Sequence, residues 1–185
     1  MTGYIEEGKS MGKAVIFDLD GTLLNTLDDL EDSVNHTLNY FKYPKRTKAE
    51  VRSFIGGGAK ALIKKSLPEN VTAEKYEEVL SYFQAYYKKN ADKKTGLYPG
   101  VKKLVNKLSD ENYSIGVVSA KGDIVVKELV ESFLGDKVNG SWQVTDANAI
   151  EVSVAIQYGV GLNNVGNTVI MGHNYRSGLF FGSNK

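Results

Sequence analysis

Residues 13–18 (KAVIFD) do most to restrict what this chain can fold into. Their apolar side chains are consecutive rather than alternating, Gly12 and Gly21 bound the segment, and it ends in acidic residues. That pattern fits a strand buried on both faces that delivers carboxylates to a loop. A second run of the same kind, residues 113–119 (YSIGVVS), comes far downstream. Two such strands need a crossover between them, and the intervening sequence is helical. Leu27, Leu30, Val34, Leu38 and Phe41 share one face of a 3.6-residue repeat, and Pro44 stops it. Thr47 and Glu50 have capping-box spacing ahead of Val51, Phe54 and Ile55. Gly56, Gly57 and Gly58 interrupt the pattern, and Ala61, Leu62 and Ile63 resume it. After a break at Pro68 and Asn70, the residues Tyr76, Val79, Leu80, Phe83, Tyr86 and Tyr87 form the clearest apolar stripe.

Tyr98-Pro99-Gly100 then turns the chain. Helical faces follow at Val101, Leu104, Val105 and Leu108, and at Val126, Leu129, Val130 and Phe133. The expected fold is therefore α/β, a Rossmann-like parallel sheet with a helical insertion after its first strand. The division is 1–10 as a disordered lead-in, 11–26 and 96–140 as core, 27–95 as a helical cap, and 141–185 as a C-terminal segment open to two readings. Residues 138–148 read as a polar loop, 149–156 as a strand or short helix, 159–167 as Gly/Asn-rich, and 168–171 as a short β-like run.

Composition excludes several classes of function. There is no cysteine, so disulfides, thiolate metal sites and a cysteine nucleophile are ruled out. A net charge of +1 gives no bulk attraction to nucleic acid or to an anionic membrane. No apolar run approaches the roughly 20 residues that span a bilayer, and residues 1–10 lack the apolar centre of a signal peptide. A cytoplasmic protein is the expectation. The oligomeric state is not legible.

Asp18 and Asp20 carry the chemistry. Two residues apart in extended backbone, they point to the same side. They lie at the C-terminal end of a strand, where open α/β sheets bind ligands. One carboxylate can attack phosphorus, and the other can protonate a leaving oxygen and then activate water. Gly21 permits a tight turn, and the Thr22 region offers N–H groups to a phosphate. Because the two carboxylates repel, Mg2+ is expected beside them. A bare Asp-x-Asp is also how a solvated strand end reads, but the longer string is more specific. Residues 14–26 (AVIFDLDGTLLNT) closely resemble the first motif of the haloacid dehalogenase superfamily.

The resemblance extends to about residue 140 and implies a phosphatase of the phosphoglycolate-phosphatase-like branch acting on a small phosphorylated metabolite. It makes Asp18 the nucleophile, Asp20 the general acid/base and both of them metal ligands. It assigns Gly56, Gly57 and Gly58 to a cap turn over the site. Ser119, ending Gly116-Val117-Val118-Ser119, matches the phosphate-binding hydroxyl of the second motif, with Lys121 close behind as a possible source of positive charge. Two further elements of the family pattern are not found. Pro99 is the last proline, so no Lys-Pro follows Ser119. Gly135-Asp136 follows a helical stripe instead of a strand. Asp146 and Glu151 are the only acidic residues after it. Low or absent activity is the expectation.

The C-terminus has a second likeness. Residues 166–176 (GNTVIMGHNYR) resemble the segment around the active-site histidine of sortases, the cysteine transpeptidases of Gram-positive surfaces, with His173 matching that histidine. Without a cysteine no transpeptidase can operate. Read within the phosphatase pattern instead, Gly172-His173 stands where a metal-binding Gly-Asp belongs. A chimera or truncated product, a diverged core, and a non-enzymatic relic are the alternatives. Strands from residues 150–175 lying beside Asp18 would favour the diverged core.

Overall fold

A computed structural model describes residues 12–143 and 165–171. Its four-stranded sheet is wholly parallel. β1 (Gly12–Asp18) pairs on one side with β4 (Tyr113–Ser119) and on the other with β6 (Val165–Met171), and β5 (Gly140–Gln143) extends the sheet beyond β4. Val15, Ile16 and Phe17 of β1 and Ile115 and Val117 of β4 are buried. That accounts for the unbroken apolar runs, because a parallel sheet covered on both faces has no polar side to alternate with. α5 (Val101–Asp110) packs against β4, and α6 (Asp123–Leu134) packs against β5.

Four helices, α1 (Leu27–Tyr40), α2 (Lys48–Phe54), α3 (Gly58–Ser66) and α4 (Ala73–Lys88), form the insertion. Leu30, Val34 and Leu38 of α1 meet Val79, Leu80 and Phe83 of α4 in a continuous apolar core. The capping box at α2 is present in full. The Thr47 hydroxyl accepts from Glu50 N at 3.3 Å, and the Glu50 carboxylate accepts from Thr47 N at 2.8 Å. Arg46 ties the helices together, donating to Ser66 O at 2.9 Å and exchanging two hydrogen bonds with the Asn35 side chain.

The insertion is closed at its base by two elements with no periodic signal. β2 (Leu24–Asn25) and β3 (Gly96–Leu97) pair antiparallel, Leu24 with Leu97 and Asn25 with Gly96. Beside them the buried Asp29 carboxylate accepts from Lys94 N at 2.9 Å and Thr95 N at 2.8 Å, fastening α1 to the returning chain.

β5 corrects the reading of residues 138–148 as loop at residues 140–143; residues 144–148 fall outside the described residues. In Gly-Ser-Trp-Gln only Trp142 favours a strand, and Asn139 sets the register. Asn139 N donates to Ile115 O at 2.8 Å, and its Oδ1 accepts from Ile115 N at 2.6 Å. The β-like run at 168–171 lies within β6, which is parallel to β1 with Met171 opposite Phe17. The readings of 1–10, 149–156 and His173 fall outside the described residues. Among the described residues no helix is long and apolar enough to cross a membrane.

Candidate active site

β1 ends at Asp18, and the chain turns at once. Gly21 takes φ +78°, a conformation that side chains resist. Gly21 N bonds to Leu24 O at 2.9 Å, Thr22 N to Leu19 O at 3.4 Å, and Leu23 N to Leu19 O at 3.1 Å. These amides, expected to face a phosphate, are engaged within the turn. What the turn presents instead are the two carboxylates, on the floor of a cavity of about 740 Å3.

Most of the sequence-selected residues meet here. Asp18, Asp20, Gly21, Ser119, Lys121, Gly56 and Gly58 line the cavity, while Thr22 and Gly57 do not. Gly58 begins α3 at φ +71°, and a Cβ on it would fall 2.5 Å from the Ala120 carbonyl oxygen. The helical insertion therefore sits directly on the loop after β4. Ser119 is buried, and its Oγ accepts from Lys121 N at 3.2 Å, which orients that loop. Asp136 sits in an exposed 3-10 turn, Gly135–Lys137, and does not line the cavity. His36 belongs to an exposed aromatic stack with Tyr86 (3.8 Å between ring centroids) and Tyr82.

The electrostatic centre is Lys121. Only 7% exposed, it directs Nζ to Asp20 Oδ1 at 3.2 Å and donates to the Tyr87 hydroxyl at 2.5 Å. Burial opposes its charge, but Asp20 and Tyr87 outweigh that, and its pKa lies above the ordinary lysine value. Thr26 Oγ1 donates to the same Asp20 oxygen at 2.5 Å. Asp18 differs. Burial pushes its carboxyl up to about 7; the Leu19 N–H at 2.7 Å and Lys121 pull the other way, and Asp20 adds to the rise. For this carboxylate the positive charge of Lys121 does not offset burial. The two carboxylates offer hard oxygens of the kind Mg2+ prefers, so the pair fits such an ion. Among the described residues no cluster of three or more acidic or histidine side chains forms.

Sequence reasoning missed Tyr87, Thr26, Arg52 and Gln143. In the sequence Tyr87 is one more member of a packing stripe, and Thr26 ends a motif. Arg52 and Lys88 line the cavity from the insertion, and neither makes an ion pair among the described residues. Gln143 accepts from Asp123 N at 3.2 Å and joins the end of β5 to the start of α6. Periodicity places Tyr87 in a stripe but says nothing of its hydroxyl, whose partner Lys121 lies far away in sequence.

A family model described as haloacid dehalogenase-like hydrolase matches residues 15–138. A phosphoglycolate phosphatase of Haemophilus influenzae (strain 86-028NP) is 36% identical over 128 residues, which are 65% of this chain and 57% of that protein. One from Mannheimia succiniciproducens is 34% identical over 134 residues, 69% of this chain and 60% of its own length. The crystal structure of a predicted phosphoglycolate phosphatase from Haemophilus somnus 129pt shares the fold. Its TM-score is 0.74 at 24% identity, covering 89% of this chain and 78% of that one. The chain thus spans about three-fifths of the length of these curated relatives.

Proposed function

Because the chain belongs to the haloacid dehalogenase-like hydrolase family, we propose that it hydrolyses a small phosphomonoester of the phosphoglycolate kind through an aspartyl-phosphate on Asp18. The supporting observation is the convergence of Asp18, Asp20, Ser119 and Lys121 on one cavity at the C-terminal ends of β1 and β4. Asp18 attacks phosphorus, an Asp18 O–P bond forms and the ester P–O bond breaks. Asp20 gives its proton to the departing alcohol oxygen. It then takes a proton from water, whose oxygen displaces Asp18 and releases phosphate. Lys121 and Thr26 hold Asp20 in place for both transfers, and the Ser119 hydroxyl is available to the transferring group. Arg52 and Lys88 bring positive charge to the wall of the cavity that the insertion forms.

Mg2+, held by Asp18 and Asp20, would neutralise their charge and that of the phosphate. The chain carries neither a Lys-Pro after Ser119 nor a Gly-Asp where Gly172-His173 stands. Loss of one preorganised charged group costs roughly 100- to 1000-fold in rate, so turnover is expected to be low. Pairing of β6 with β1 supports reading residues 141–185 as a diverged end of the core in preference to an appended sortase-like piece.

The test is hydrolysis of an aryl phosphate and of phosphoglycolate, with and without Mg2+, by wild type and Asp18→Asn. Mg2+-dependent release of phosphate that vanishes in Asp18→Asn is the expected result. Equal rates in the two proteins would leave a non-enzymatic relic as the better reading.

A further inference from the structure

The buried ammonium of Lys121 takes its partners from two separate parts of the chain. Asp20 belongs to the turn after β1, while Tyr87 belongs to the last turn of α4, at the far end of the helical insertion. An ammonium this deeply buried needs its donors engaged, and the hydroxyl that engages one of them arrives only with the insertion seated on the core. The side chain at position 87 is also chemically more than the fold requires. Phe83, one turn earlier, lies parallel to Tyr87 with ring centroids 5.6 Å apart and fills the same stripe without a hydroxyl. A phenylalanine at 87 would pack equally well, and a buried hydroxyl costs stability unless it is used. Here it accepts from Lys121, which also lies 4.4 Å from the centre of the Tyr87 ring.

We propose that Tyr87 is a positioning residue of this site, a latch on the helical cap that holds the Lys121 ammonium against Asp20 and does so only when the cap is closed. The inference rests on the phosphatase reading for its kinetic consequence but not for the latch itself. With the cap displaced, Lys121 is free to turn toward water, and Asp20 loses the charge that fixes its carboxylate. With the cap seated, the Asp20 carboxylate is held in place to take the proton from water.

Two measurements test this on the full chain. The absence of cysteine allows a clean spin-label pair at Ser81→Cys on α4 and Glu128→Cys on α6, both exposed. Wild type should give one narrow distance distribution. Tyr87→Phe, which keeps the ring, should add a longer population, and so should Lys121→Met. Distributions identical to wild type in both variants would overturn the latch whether or not the chain turns over substrate. In the hydrolysis assay with Mg2+, Tyr87→Phe should lower kcat roughly ten- to hundredfold, the size expected for a hydrogen bond to a charged group, with KM little changed. The double variant Tyr87→Phe/Lys121→Met should be no slower than Lys121→Met alone. A raised KM at unchanged kcat would make Tyr87 a substrate contact and sink the proposal. Altered distances with no turnover even in wild type would support the latch while refuting the proposed hydrolysis.

Discussion

Asp18 binds its proton more tightly in the folded protein than its ordinary value of 3.8 allows, releasing it only at about 7. Between those values the folded state holds more protons than the unfolded one. Stability is therefore full below about pH 4 and declines as pH rises through 7. At about 1.4 kcal/mol per unit, the loss is on the order of 4 kcal/mol. Asp18→Asn should match wild type near pH 4 and exceed it by about 2–4 kcal/mol at pH 8, in urea unfolding without metal. Mg2+ should close the gap by stabilising wild type alone. A wild-type midpoint that stays flat from pH 4 to 8 would contradict this account. At this scale the sequence was informative where chemistry and spacing coincide. Asp18 and Asp20 alternate along a strand end, and Ser119 terminates the next strand. Tyr87 was opaque because an apolar stripe accepts tyrosine and phenylalanine alike, and only the distant Lys121 distinguishes them.

Among the elements, two contacts at the insertion's boundary lend themselves to measurement. Asp29→Ala removes the acceptor from two backbone N–H groups, those of Lys94 and Thr95. Leaving them unpaired should cost about 2–4 kcal/mol in urea unfolding, with Asp29→Asn recovering part of it. Gly58→Ala meets both a left-handed φ and the Ala120 oxygen. It should lower the melting temperature, with a backbone strain of about 1–2 kcal/mol before the clash is counted. A variant as stable as wild type would mean that α3 does not press on the loop after β4. Helices α1 and α4 were readable because each repeats its apolar residues over several turns, and the short α2 because Thr47 and Glu50 cap it. β2, β3 and β5 were not readable. Each is two to four residues long and exists through pairing with a partner far away in the chain.

For the molecule as a whole, β1 is the hub. Among the described strands it alone pairs with both β4 and β6, and Val15, Ile16 and Phe17 are buried. Native-state hydrogen exchange should therefore find the amides of Val15, Ile16 and Phe17 opening only with global unfolding, and those of α2 opening at lower free energy. Rapid exchange at alternate residues of β1 would mean that β6 does not hold its edge. The α/β class was legible from two apolar runs separated by helices. The seat of β6 was not, because a short apolar run carries no mark of its neighbour in the sheet, and the pairing of Met171 with Phe17 joins positions more than 150 residues apart.

The β2–β3 pair has a consequence for engineering. Chain entry to the four-helix unit and chain exit from it are neighbours across one antiparallel ladder, about 5 Å apart by ordinary strand geometry. To the core, everything between Asn25 and Gly96 is the loop of a hairpin, and a two-residue turn could replace it without moving either strand. The core can thus be treated as a socket into which other lids are grafted, with the ladder as the splice point and Asp29 as the first contact a new lid must replace.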